Sequence, residues 1–468
     1  MTRFRHILKI CSDQHSPFVA GFAGDPHART PNLDRLAERG VVYENHYAAN
    51  PVCVPGRYAM LSGRMPRRIG TPYFSSPLSD EIETYAGRLA AHGYVTICCG
   101  KMHFHDRHQM HGWMFRPYGD MQIADRSHVR GYDSEIDVGM GVSRAVDYDD
   151  WGGYTPWMLK HAGPGETGFQ RFDRSVTRES VENLTDYFTP SFIDEAYQAD
   201  RPLLFEVSFK SPHCPYVCQP HLFEHYLDRL NDPTEALRDD APSFLLRRRE
   251  QDQPPDITPE MIRRARAGYW GLVETMDSMV GEVLDCLIRL GVLDDFFVMY
   301  SSDHGEMAGE RGLWQKSTFY EQSVRTPMIL AGPDLPRGRR VTSNTSHLDI
   351  MPTLCELAGI EPPAGGEGRS MLPLLSGPSA ELDRIILSEH NALAGTDHSA
   401  YSAVTIDQVM AKQRDLKLID YDGQTWQAFD LSRDPLERQN VADDPKYCKA
   451  LRVLRDEIER FRGGSPIR

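Results

Sequence analysis

At 468 residues the chain is long enough for one large domain with a smaller one beside it. Hydrophobic residues make up 40% and charged ones 25%, an ordinary globular balance, and no apolar run is long enough to span a membrane. The formal net charge of -15 argues against a general nucleic-acid binder, which would present a basic face. Nine cysteines, at positions 11, 53, 98, 99, 214, 218, 286, 355 and 448, fit neither a disulfide framework nor a zinc pattern. Cys214-Pro-Tyr-Val-Cys218 has no matching second pair, so no metal clip is expected there. Lys9 interrupts the first apolar stretch and no secretory leader is read, which makes a reducing cytoplasm the expected setting.

Arg5 to Cys11 reads as a buried strand that ends in Ser12-Asp13-Gln14-His15. Thr30 caps a helix with Pro31 at its first position and Gly40 at its end, and Val41-Val42-Tyr43 begins a second strand. Glu83 to His92 is an amphipathic helix, followed by a strand over Tyr94 to Cys99 and then Gly100-Lys101-Met102-His103. This alternation is that of a parallel sheet with crossover helices. Residues 106 to 195 are rich in Asp, Arg, Gly and aromatics, among them Trp113, Tyr118, Trp151, Tyr154 and Trp157. They are expected to form a long irregular insertion over one end of the sheet, facing substrate or another subunit. Tyr73 and Phe74 are further candidates to line a pocket, since aromatic faces attract apolar and cationic groups.

Pro202 to Ser208 resumes the sheet and leads to Lys210-Ser-Pro212-His213. Ile257 to Leu290 carries a long helical stripe, Phe296 to Tyr300 is a strand ending in Ser301-Ser302-Asp303-His304, and Pro327 to Ala331 is another. His347 to Ala358 is a helix. Short strands are expected over Arg384–Ser388, Ala400–Ile406, Val409–Gln413 and Leu416–Tyr421, with a closing helix from Asp444 to Arg462. The division is 1–365 for the main α/β domain and 366–468 for a small α+β subdomain.

Strands far apart in sequence thus end in Asp13-Gln14, Lys101-x-His103, His213 and Asp303-His304. In a parallel sheet these ends share one edge, where open α/β sheets place their ligands. Two carboxylates, an amide oxygen and an imidazole make an oxygen-rich site suited to Ca2+, Mg2+ or Mn2+. Between them in sequence lies Asn50-Pro-Val-Cys53-Val-Pro55-Gly56-Arg57. Pro55 suits the first turn of a helix, and Arg57 one turn from Cys53 places an anion-stabilising start beside a thiol.

These segments resemble those of the sulfatases of the alkaline-phosphatase superfamily. Cys53-Val-Pro55-Gly-Arg57 with Leu61-Ser62-Gly63 looks like the Cys-x-Pro-x-Arg signature. Gly100-Lys101-x-His103, Ser301-Ser302-Asp303-His304-Gly305 and Gly309 to Lys316 look like the segments that complete the site. The Asp13-Gln14 and Asp303-His304 pairs are similar to the choline-sulfatase and phosphonate monoester hydrolase branches, and Gly56 stands where serine is frequent.

The resemblance implies an alkaline-phosphatase-like α/β/α sandwich, with a large, mostly parallel mixed sheet and a small C-terminal antiparallel sheet. It implies a sulfuric ester hydrolase, with a phosphonate monoester or phosphodiester hydrolase as the alternative. Cys53 would be converted by a maturation enzyme to formylglycine, whose hydrate attacks sulfur with one hydroxyl and expels sulfate with the other. Asp13, Gln14, Asp303 and His304, together with the residue made from Cys53, would hold one divalent metal, Ca2+ first and Mn2+ or Mg2+ otherwise. Asp303 would be the base, Arg57 and Lys101 would balance charge, Lys316 or His213 would be the general acid, and His103 would take the second hydroxyl's proton. The partner is then a small sulfate ester, with no nucleic acid or membrane, and a homo-oligomer is expected.

Overall fold

Strand β1 (His6–Asp13) lies within the main sheet, and its residues alternate between two apolar layers. Leu8 and Ile10 face one layer, Ile7 and Cys11 the other, as the two-residue period of a strand requires. Lys9 shares the second face and does not break the strand. Its ammonium meets Glu206 at 2.6 Å, and the Tyr85 hydroxyl donates to the same buried carboxylate. Burial works against this ammonium, but Glu206 holds its pKa above the ordinary lysine value.

The computed structural model describes residues 6–105, 108–120, 154–189, 201–332, 334–376, 384–392, 406–423 and 425–464. In chain order the principal elements after β1 are α1 (Pro31–Arg39), β2 (Gly40–Tyr43), α2 (Cys53–Ser62), α3 (Tyr85–Ala91), β3 (Val95–Gly100) and β4 (Phe115–Tyr118). Next come α4 (Gly168–Phe188), β5 (Leu203–Pro212), α5 (Pro259–Arg289), β6 (Phe296–Ser302), β7 (Met328–Ala331), β8 (Arg339–Val341) and α6 (Ile350–Leu357). The last are β9 (Ile385–Ala392), β10 (Ile406–Gln413), β11 (Leu416–Tyr421), β12 (Thr425–Asp430) and α7 (Cys448–Arg462).

The main sheet has the order β8-β2-β7-β6-β1-β5-β3-β4, and β7 alone runs against the rest. Helices α1, α4 and α5 cover one face; α2, α3 and α6 cover the other. The smaller sheet, β9-β10-β11-β12, is antiparallel throughout. Ile385, Val409, Leu418 and Ala428 pack on α7, while Ile386, Met410, Ile419 and Phe429 pack toward Leu313, Phe319 and Tyr320 of the main body. The architecture is therefore the expected α/β/α arrangement with a separate small antiparallel sheet. Among the described residues no helix is long and apolar enough to cross a membrane, and all nine cysteines are free thiols.

Several expectations need correction. The stretch 106–195 is not all irregular: β4 extends the main sheet, and α4 is a 21-residue helix packed on it. Trp113 packs edge-on against Tyr85, and Trp157 stacks on His161 in a third apolar cluster, so both serve the interior. Trp151 lies outside the described residues, as do 121–153 and 190–200. The helix expected over His347–Ala358 begins as a 3-10 turn, His347–Asp349, because Ser346 and Asp349 cap each other across it. Residues 400–405 lie outside the described set. The fourth strand of the small sheet is β12, which is not among the expected strands although Thr425-Trp426-Gln427-Ala428 alternates polar and apolar residues as a strand does.

Candidate active site

Four parallel strands deliver the expected residues to one edge. Asp13 is the last residue of β1, Lys101 follows β3, His213 follows β5, and Asp303-His304 follows β6. Helix α2 begins at Cys53 and is buried along all ten residues, so its N-terminus is aimed at this edge. Lys316 arrives from the loop after β6.

Cys53 Sγ lies 3.1 Å from His304 Nε2 and 3.8 Å from Asp13 Oδ1. Arg57 binds three groups at once: Nε donates to Asp303 Oδ2 at 2.8 Å, and Nη1 to the Lys101 carbonyl at 2.7 Å and Ser208 Oγ at 2.8 Å. Lys101 Nζ donates to Asp13 Oδ2. Lys316 Nζ donates to Gln14 Oε1 at 2.7 Å and stands 2.8 Å from His213 Nε2. The His213 Nδ1 is 2.7 Å from the Cys214 carbonyl, which can only accept; Nδ1 therefore carries the proton and Nε2 accepts from Lys316.

This density of cations sets the protonation of the cluster. Burial would raise the Asp13 pKa, but Lys101 and other nearby cations hold it well below the carboxylate range. Burial and Asp13 push the Cys53 thiol up, yet Lys101, Lys316 and His304 outweigh them and hold it at about 7. His103 and His213 are pushed well below the ordinary histidine value by burial and by the lysines around them.

The donor set fits a divalent cation. One ligand atom each from Asp13, Cys53, Asp303 and His304 lies within 4.8 Å of the others, and all four residues are buried. His304 Nδ1 is 3.0 Å from the Gly305 carbonyl, so its lone-pair nitrogen, Nε2, faces the two carboxylates at 3.6 Å each. The Lys101 ammonium leans on Asp13 Oδ2 and leaves Oδ1 toward Cys53 and His304, while the Lys316 ammonium leans on Gln14 Oε1. Glu306 fixes which end of the Gln14 amide faces the site. Its buried carboxylate accepts Gln14 Nε2 at 2.5 Å, which turns Oε1 inward.

His103 stands apart from this contact set. It is buried, and among the described residues neither ring nitrogen has a hydrogen-bond partner. Its ring lies 5.1 Å from those of Phe74 and His105. The backbone N–H groups of Met102 and His103 both donate to Asp120 Oδ2, and Arg116 Nη2 donates to the Gly100 carbonyl at 3.0 Å. Asp120, Arg116, Ser208 and Glu306 thus position the expected residues, and the sequence reading assigned none of them. It also passed over the role of Lys210, whose buried ammonium sits 4.7 Å over the Phe169 ring. Burial and the charge of Lys101 pull the Lys210 pKa down to about 8.

Gly56 has a steric explanation. A Cβ at this position would stand 2.8 Å from the Asn50 carbonyl oxygen and 3.2 Å from that of Asp303. Both are backbone atoms, so α2 could not keep its seat. Gly56→Ser should therefore destabilise the fold by about 1–3 kcal/mol, the range for overpacking. Denaturant unfolding measures this, and an unchanged midpoint would show that α2 has slack.

The family model described as Sulfatase matches residues 5–360, and one described as N-sulphoglucosamine sulphohydrolase, C-terminal, matches 309–463. A choline-sulfatase of Rhizobium meliloti (strain 1021) is 33% identical over 452 residues, spanning 94% of this chain and 83% of that protein. An arylsulfatase of Clostridium perfringens (strain 13 / Type A) is 28% identical over 473 residues, 96% of this chain and 92% of its own. Among solved structures, the phosphonate monoester hydrolase of Agrobacterium radiobacter has a TM-score of 0.76 at 22% identity, covering 98% of this chain and 96% of that one. The last is a likeness of fold. Taken with the model that spans most of the sequence, these relatives show that the chain belongs to the sulfatase family.

Proposed function

We propose that this enzyme hydrolyses a small-molecule sulfate monoester to an alcohol and sulfate, using formylglycine made from Cys53 and one divalent metal ion, Ca2+ first. The observation that carries this reading is the position of Cys53. It opens a fully buried helix, 3.1 Å from His304 Nε2, with Arg57, Lys101 and Lys316 binding the groups around it.

A cation held by Asp13, Gln14, Asp303 and His304 would supply Lewis acidity, lowering a hydroxyl pKa and drawing charge from a sulfuryl oxygen. The hydrated aldehyde would supply two hydroxyls on one carbon, one to attack and one to release sulfate. The chain's own residues do the rest. Arg57 locks the Asp303 carboxylate in place, and Asp303 takes the attacking hydroxyl's proton. Lys101 keeps Asp13 ionised. The ring nitrogens of His103, without a hydrogen-bond partner among the described residues, suit it to accept the second hydroxyl's proton. Of the two candidates for general acid, Lys316 holds the protons and His213 accepts one of its hydrogen bonds, so Lys316 protonates the leaving oxygen. Spreading negative charge over the transferring group rewards a crowd of fixed cations.

Loss of the acid should depend on the leaving group. Lys316→Ala should cut kcat/KM by about 10²–10⁴-fold for alkyl sulfates and far less for the sulfate of an acidic phenol. Equal losses on both would remove Lys316 from the acid role. Rates on aryl sulfate, alkyl sulfate, phosphonate monoester and phosphodiester substrates, measured side by side, test the reaction class. A phosphonate or phosphodiester rate dominating by orders of magnitude would replace the sulfatase reading with its alternative.

A further inference from the structure

Away from the buried cluster, a second group of metal-ligating side chains converges at the surface. Asp80 lies in the segment ahead of α3; His108 and His111 lie between β3 and β4. One ligand atom from each lies within 4.8 Å of the others. His108 Nδ1 contacts Asp80 Oδ1, and His111 Nδ1 is 3.7 Å from the same oxygen. The two imidazole rings are 4.4 Å apart with 45° between their planes.

We propose that Asp80, His108 and His111 form a second metal site, suited to Zn2+ or a similar transition ion. Two imidazole nitrogens and one carboxylate oxygen form a three-ligand set typical of zinc with one open position. This chemistry differs from the oxygen-rich cluster around Asp13, so excess Ca2+ does not satisfy it. The site is built on both sides. His111 is 4% exposed, its ring packs 4.4 Å from Phe104, and its carbonyl accepts the Thr84 hydroxyl at 2.7 Å. Asp80 and His108 are exposed, which leaves room for water as a fourth ligand.

A cation here would have a structural consequence for the neighbouring site. It would clip the segment containing Phe74 and Asp80 to the one containing His103 and His108. Phe74 already packs against the His103 and His105 rings, at 5.1 Å and 5.2 Å. Binding would therefore hold the aromatic cover of His103 in one place.

The test uses the full chain with Ca2+ in excess, titrated with Zn2+ by calorimetry and with Co2+ by absorption. The expected result is one Zn2+ per chain that Ca2+ does not displace, and an intense visible Co2+ band of tetrahedral type. Asp80→Asn and His108→Asn should each weaken Zn2+ binding at least about 10-fold, with the metal-free melting temperature unchanged because both side chains are exposed. No Zn2+ bound by the wild-type chain, or unchanged affinity in either variant, would overturn the proposal.

Discussion

A Cys53→Ala protein should fold and lose turnover by on the order of 10⁵-fold or more, the scale seen when a covalent nucleophile is removed. The fold should survive because the deletion is small. The side chain is 1% exposed, but it lies at the start of α2 rather than among the apolar residues that fix the helix. A destabilisation of about 1 kcal/mol is the expected scale for such a change, and circular dichroism with denaturant unfolding reads it. Cys53→Ser separates two roles that alanine merges. A serine hydroxyl can attack once, but it has no second hydroxyl on the same carbon to release the product. It should give a single turnover and a sulfated protein, visible by intact mass. Full activity in Cys53→Ala would remove Cys53 from the centre. Mass analysis of the Cys53 tryptic fragment tests the conversion itself: an unmodified thiol in active enzyme would sink the formylglycine assignment.

Arg57→Ala should be the most damaging single change to the cluster's stability. Arg57 is 2% exposed and Asp303 is fully buried. Without the guanidinium, the Asp303 carboxylate loses its bond to Nε, and the Lys101 carbonyl loses its bond to Nη1. Breaking a buried pair from one side costs about 3–5 kcal/mol, against a typical total of roughly 5–15 kcal/mol. Denaturant unfolding should show this, and activity should vanish with it. Arg57→Lys keeps the charge but cannot span three acceptors, so it should recover part of the stability and little of the rate. A loss under about 1 kcal/mol in Arg57→Ala would mean that Asp303 is held by other groups.

The ends of the parallel strands make much of this candidate site legible in the sequence. Asp13, Lys101, His213 and Asp303 each follow a short apolar run, and one parallel sheet brings such ends together. What stayed hidden depends on contacts between distant segments. Glu306 matters because Gln14, at φ +68°, turns its amide toward it. Asp120 matters because two backbone amides of the Lys101 segment converge on one carboxylate. Neither relation has a local spacing to detect. Helix α4 was legible in principle. Thr167 and Gln170 form a capping box, and Phe169, Phe172 and Val176 mark its apolar stripe. Their signal was masked by the charged residues between them. Lys9 breaks the apolar run in sequence, while Glu206, 197 positions later, neutralises it inside the expected strand.

The seat of α2 also sets an order of events in the life of the chain. All ten of its residues are buried, and backbone oxygens of Asn50 and Asp303 close over Gly56. A protein catalyst cannot wrap its own cleft around Cys53 once that packing exists. Any enzymatic oxidation of the thiol must act on the nascent or unfolded chain, in competition with folding. Chains that fold first would be sealed as stable thiols, so the fraction of active molecules would be a kinetic record of synthesis. Refolding in the presence of the oxidising catalyst, and not mere incubation with it, would be the way to rescue them.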